Sequence, residues 1–259
     1  MRMSYLRSAA ATALVVLAAA CGGSKETAPA GPPPGAERVD TSKAGALAGR
    51  VLVEGPLPEN APIKMSGDPY CVTQNPNGAQ LERFAVKDGG LDNVFVYVKD
   101  GLGHYYFETP TEPVKLDQQG CRYRPHVLGI RVGQPLEVVN SDETMHNVHG
   151  MAAANREFNV GQALKNQVAT RTFTKPEVMI PFKCDVHGWM QAFIGVMDNP
   201  YFAVTHDGGK FELKDLPAGT YTIEAWHEKL GIQTQTVTLA EKQSADITFT
   251  FKASAAAGN

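Results

Sequence analysis

The 259-residue chain has no long basic run, no apolar stretch of membrane-spanning length and no sustained segment with a helical apolar period. With 24 basic against 27 acidic side chains its formal charge is −3, the wrong sign for gripping phosphate. Nucleic acid is therefore excluded as a partner. The 25 glycines and 17 prolines follow no strict period, which excludes a collagen-like chain. An apolar content of 43% excludes a wholly disordered one. The length allows one or two domains, each able to bury a core.

What is present begins with signs of export. Arg2 and Arg7 precede an apolar run from Ala9 to Ala20, broken only by Thr12. As a helix it would span roughly 18 Å against a hydrocarbon core of about 30 Å, so residues 1–20 read as a secretory signal. The run ends in Ala18-Ala19-Ala20-Cys21 before Gly22-Gly23, which resembles a bacterial lipoprotein box, although Leu17 sits one place further from the cysteine than is usual. That resemblance implies that Cys21 is lipidated and becomes the mature N-terminus; a plain signal peptide with an incidental cysteine is the alternative. Residues 21–43 hold Pro29, Pro32, Pro33 and Pro34 and few large apolar side chains. They are expected to form a disordered stalk with a reach on the order of 60 Å. The expected location is the periplasmic face of a bacterial membrane or the cell surface, with the lipid as anchor.

From Ala46 onward short β runs alternate with Asp-Gly, Gly-Gly, Asn-Pro and Pro-Ala-Gly turns. Leu47 to Val53, Val94 to Val98, Val127 to Val132, Leu136 to Val139, Val178 to Phe182, Phe193 to Met197, Phe211 to Leu213, Tyr221 to Ala225, Thr234 to Leu239 and Asp246 to Phe251 are such runs. Many short strands without helices between them predict antiparallel sandwiches.

Four cysteines occur, at 21, 71, 121 and 184. A lipid on Cys21 leaves an odd three, which calls for an explanation in an exported protein. Cys184 is followed by His187 and Met190, whereas Cys71 and Cys121 have no such neighbours. A Cys71–Cys121 disulfide with Cys184 as a thiolate ligand is the economical solution, and two free buried thiols are the alternative. Closing that loop would be worth about 4 kcal/mol in the chain-entropy model.

The segment Val178-Met-Ile-Pro-Phe-Lys-Cys184-Asp-Val-His187-Gly-Trp-Met190 reads as a strand entering a tight loop. A thiolate, an imidazole and a thioether on one loop can converge on one ion, and soft sulfur with imidazole favours copper over zinc. A second imidazole is needed. His146 and His149 stand at the end of an apolar strand; three positions apart, they point to opposite faces and only one can join. His-Asn-Val after an Asn-ended strand, with Cys-x-x-His-x-x-Met 38 positions on, resembles the type I blue-copper cupredoxins and the amicyanin branch in particular. The resemblance implies one copper held by His146, Cys184, His187 and Met190. It also implies that Asn147 clamps the ligand loop, here against Asp185, where the family commonly has Ser or Thr. His149 is the candidate neighbour of the site. His104, His126, His206 and His227 sit singly, so multicopper oxidase or nitrite reductase chemistry has no visible machinery.

Residues 202–225 carry Thr205, Gly209, Phe211, Leu213, Leu216, Pro217, Gly219 and Tyr221 in the spacing T-x-x-x-G-x-F-x-L-x-x-L-P-x-G-x-Y. This resembles the carboxypeptidase regulatory-like, or transthyretin-like, β-sandwich, whose members are supports or interaction modules. Residues 45–56 and Asn93-Val-Phe-Val-Tyr-Val resemble that family's first two strands. The expected fold is therefore all-β, a cupredoxin Greek-key sandwich plus a smaller transthyretin-like sandwich. Residues 44–107 would open the smaller one, 108–199 form the copper domain, 200–252 complete the smaller one and 253–259 trail as a disordered tail. Insertion of the copper domain is expected, with tandem order as the alternative.

The function these resemblances imply is electron transfer by Cu(I)/Cu(II) cycling with an unidentified redox protein, not enzymatic catalysis. The edge of His187 is expected at the surface, with Trp189 and Phe193 as an apolar docking patch. Copper storage, delivery or sensing is a second reading. A surface adhesion or glycan-binding module with an incidental copper site is a third.

Overall fold

The computed structural model describes residue 32 and residues 34–253. The signal, Cys21, most of the stalk and the tail from 254 lie outside the described residues. Four strands come first: β1 (Gly45–Glu54), β2 (Ala85–Lys87), β3 (Gly90–Asp92) and β4 (Phe95–Asp100). Nine follow: β5 (Val114–Gln118), β6 (Tyr123–Arg124), β7 (Val127–Arg131), β8 (Pro135–Asn140), β9 (His146–Gly150), β10 (Phe158–Gln162), β11 (Val168–Thr172), β12 (Glu177–Lys183) and β13 (Gln191–Met197). The last five are β14 (Phe202–Val204), β15 (Lys210–Leu216), β16 (Gly219–His227), β17 (Gly231–Leu239) and β18 (Ser244–Lys252). One short helix among the described residues, α1 (Pro69–Gln74), interrupts them. The fold is all-β.

Sheet membership follows these three groups. β1 pairs with β15, β3 and, in parallel, β18, and β3 pairs with β2. The second sheet runs β14-β4-β16-β17. Inward side chains of both, among them Leu47, Phe211 and Phe249 from the first and Val96, Ile223 and Ala225 from the second, share one core. Strict alternation does this: in β15 Phe211 and Leu213 are buried while Lys210 and Glu212 face water. The middle nine strands form two other sheets, β10-β9-β12-β13-β7 and β11-β8-β5-β6, around a separate core. The chain thus leaves one sandwich after β4, builds a second, and re-enters the first at β14.

A third cluster joins the two. Phe95 and Tyr97 of β4 pack on Val127, Met179 and Met197 of the second sandwich, with Phe193, Phe202 and Trp226 at the edges. Gly129 and Gly195 lie opposite each other across β7 and β13. A Cβ on either would stand 2.8 Å or less from the Phe95 ring, so the missing side chains are what let that ring approach the sheet so closely. Both sandwiches belong to one compact unit.

Two segments depart from the sequence reading. Residues 55–84 link β1 to β2 yet pack on the other sandwich, where Met65 and Cys71 are buried with Leu116, Cys121 and Tyr123. They form a cap rather than opening strands. Asp68 starts α1 by accepting the Tyr70 and Cys71 amides, and Pro69 costs no helical hydrogen bond at this first position. The inner part of the supposed stalk is held as well. The Glu37 amide donates to the His104 carbonyl at 3.1 Å and the Tyr106 amide to the Glu37 carbonyl at 2.8 Å. Backbone pairing fixes that stretch without any buried apolar side chain, which composition does not foretell. No helix among the described residues is long and apolar enough to cross a membrane.

Candidate metal centre

Two local devices bring the donors together. The first is the bend after β8. Asn140 is buried, accepts the Asp142 amide at 3.0 Å and donates to the carbonyls of Thr144 and Gln162, each at 3.0 Å. This turns the chain so that β9 starts with His146, which is 0% exposed. The second is the loop between β12 and β13. Lys183 and Gln191 are the last paired residues, and the Cys184 amide meets the Met190 carbonyl while the Met190 amide meets the His187 carbonyl. A loop closed this tightly leaves Cys184, His187 and Met190 all buried.

The donors converge. Nδ1 of His146 lies 2.9 Å from Nδ1 of His187, which lies 3.9 Å from Sγ of Cys184. All three atoms fall within 4.8 Å of one another. With metal–nitrogen bonds of about 2.0 Å and metal–sulfur bonds of about 2.3 Å, donors to one ion stand no more than about 4.0 and 4.3 Å apart. Both measured separations meet that limit, so the residues fit a metal. Two imidazoles with a thiolate, and a buried thioether at the end of the same loop, are soft donors of the kind that copper favours.

The thiol is prepared for this role. Burial opposes its ionisation, but hydrogen bonds with His146 and His187 and from the Asn147 and His187 amides outweigh it and bring Cys184 down to about 6. The amides lie 3.5 and 3.3 Å from the sulfur. His146 is raised: burial lowers it, and the neighbouring Asp142 and Cys184 more than reverse that.

Asn147 and His149 point to the opposite face of β9. Asn147 Oδ1 accepts the Asp185 and Val186 amides at 2.7 and 3.3 Å, and its Nδ2 donates to the Asp185 carboxylate at 3.2 Å. It therefore ties the first strand to the ligand loop. His149 lies between Asp185 and Glu157, at 3.1 and 2.6 Å, away from the three donors. Lys183 and Asn159, the largest influences, with His149 and Asn147 hold the Asp185 carboxyl down at about 2.

The edge of His187 does not reach the surface. The residue is 3% exposed because the cap closes over it. Asp68 Oδ2 stands 3.0 Å from its Nε2, Cys71 Sγ stands 3.7 Å away, and the Trp189 ring centroid lies at 5.0 Å. Cys71 and Cys121 are joined in a disulfide that pins the cap beside the site, and Cys184 is free. Trp189 donates its indole N–H to the Cys121 carbonyl at 3.0 Å. Nor is Phe193 part of a docking patch: it packs on Trp226 and His126 between the sandwiches.

Sequence reasoning missed Asp68 and Asp142. Asp142 Oδ2 stands 2.9 Å from Nε2 of His146 and accepts the Cys121 amide at 2.7 Å, while Oδ1 accepts the Gly120 amide at 2.8 Å. Burial alone would raise both carboxyls, but the hydrogen bonds around each win and hold them below the usual range. A signal for Asp68 existed, since Asp-Pro is a helix start and the next turn carries Cys71.

No family model and no curated protein matches the chain. Solved structures similar to parts of it include a copper-containing nitrite reductase from Thermus scotoductus SA-01, with 25% identity over 38% of this chain and 24% of that one, at a TM-score of 0.32. The chain spans about a quarter of that enzyme's length. The Cu(I) form of an amicyanin mutant shares 24% identity over 35% of this chain and 87% of its own, at a TM-score of 0.30. A purple cupredoxin from Nitrosopumilus maritimus shares 18% identity over 32% of this chain and 98% of its own, at a TM-score of 0.28.

Proposed function

We propose that this is a copper-binding electron-transfer protein rather than an enzyme, exported and tethered to a membrane by lipid on Cys21. One copper would be held by His146, Cys184, His187 and Met190. The observation that carries the reading is the convergence of His146 Nδ1, His187 Nδ1 and Cys184 Sγ within 4.8 Å. When bound, the ion supplies one-electron exchange between Cu(I) and Cu(II). The chain supplies the rest. Cys184 offers a ready thiolate, the loop amides and Asn147 fix its position, and the disulfide-pinned cap keeps water from the imidazoles. Because the donors are held by backbone bonds and packing, they need not move between the two states. A partner would approach at half-buried Trp189 or at exposed Asp185 and Val186, which adjoin His187 and Cys184.

Burial of His187 supports a second reading, retention and delivery of Cu(I). Repeated reduction and reoxidation of the copper-loaded protein by a one-electron mediator separates them. A carrier keeps one copper per chain through successive cycles with a reversible voltammetric wave. Loss of copper to a chelator on the first reduction would reject the carrier in favour of delivery.

A further inference from the structure

Both candidate ligand imidazoles have a carboxylate on their far nitrogen. Asp142 Oδ2 lies 2.9 Å from Nε2 of His146, and Asp68 Oδ2 lies 3.0 Å from Nε2 of His187. The histidine side chains are 0% and 4% exposed, the aspartates 2% and 17%. Neither carboxylate is free to turn away. Asp142 also accepts the Gly120 and Cys121 amides, and the Tyr70 hydroxyl at 3.3 Å. Asp68 also accepts the Tyr70 and Cys71 amides and the Thr144 hydroxyl, the last at 2.7 Å.

A carboxylate surrounded by donors can only accept. Each Nε2 must then carry a ring proton, and once the ring is neutral its Nδ1 is left as a bare lone pair. Those two lone pairs face each other at 2.9 Å with a sulfur beside them, an arrangement that repels unless a cation lies among them. The three anionic groups add a second effect. One thiolate and two carboxylates give a charge of −3, leaving −2 with Cu(I) and −1 with Cu(II). In surroundings this buried, the smaller net charge is favoured. We propose, on the reading of this site as a copper centre, that Asp68 and Asp142 are positioning residues. They lock His146 and His187 as Nδ1 donors and bias the site toward Cu(II) over Cu(I). Asp68 gives the cap a purpose beyond coverage, since it brings the second carboxylate from outside the sandwich that holds the ligands.

The test uses the purified protein with and without copper. In the metal-free wild type, at a pH where both imidazoles are neutral, nitrogen NMR is expected to show His146 and His187 protonated at Nε2. With copper, Asp68→Asn removes the charge and leaves one oxygen for either the Tyr70 and Cys71 amides or His187, where the carboxylate serves both. Its Cu(II)-over-Cu(I) affinity ratio is expected to fall at least tenfold, a rise in potential of about 59 mV or more. Asp68→Ala, which removes the acceptor as well, should give His187 mixed ring tautomers in the metal-free protein. Asp142→Asn should repeat the affinity change if its thermal melt shows it folded. An Nδ1-protonated ring in the metal-free wild type, or a ratio in Asp68→Asn within threefold of wild type, would overturn the inference. A wild type that takes up no copper would refute the proposed function instead, while the ring-proton measurement would still decide whether the carboxylates lock the imidazoles.

Discussion

At the scale of single residues, the division of labour along β9 is the sharpest feature of the site. Alternation puts His146 among the candidate donors and turns Asn147 and His149 to the other face of the strand, against Asp185. His146→Ala should weaken copper binding by more than about 100-fold, and His149→Ala by about tenfold or less. Competition with a chelator of known affinity measures both, and equal losses would mean that His149 also reaches the ion. The candidate donors were legible in the sequence because metal chemistry demands particular residue types at short spacing: Cys184, His187 and Met190 stand on one loop. Asp68 and Asp142 were not. A carboxylate acting through a histidine carries no spacing rule, and Asp68 comes from a segment 119 positions before His187, the residue it faces.

Among the elements, the cap over 55–84 decides what the site can touch. It is short of regular structure, with one six-residue helix, and the Cys71–Cys121 bridge ties it to the sandwich across a separation of 50 residues. Replacing both cysteines with serine should lower stability by about 4 kcal/mol on the chain-entropy argument, read from denaturant midpoints. It should also speed Cu(I) capture by an external chelator, because His187 loses its cover. A variant as stable as the parent, with unchanged capture, would show that the cap is held by packing alone. The β7, β8, β12 and β13 runs could be read from their apolar residues, since they are buried on both faces or alternate cleanly. β10 and β11 could not: Phe-Asn-Val-Gly-Gln and Val-Ala-Thr-Arg-Thr lie at sheet edges, where polar residues are tolerated and pairing partners, not hydrophobicity, define the strand.

Over the whole molecule, one sandwich is interrupted by another, and the contact through Phe95, Gly129 and Gly195 sets them against each other. The alternation in β15 and β16 made the outer sandwich readable, whereas the junction was not, because Phe193 and Trp226 look in sequence like surface aromatics. Tethering belongs to this scale too. If Cys21 carries the lipid, Cys21→Ser should move the protein from the membrane fraction to the soluble one with its copper site unchanged. A variant that stays with the membrane as firmly as its parent would remove lipidation as the anchor. Everything proposed for the site requires one feature, a thiolate bound to copper beside two imidazoles. Its most direct measurement is the visible spectrum of the purified protein with one equivalent of Cu(II), compared with that of Cys184→Ser. An intense thiolate-to-copper charge-transfer band in the wild type, absent from the variant, is the predicted result. A wild type that binds Cu(II) one-to-one without colour, or a variant that keeps the band, would contradict it.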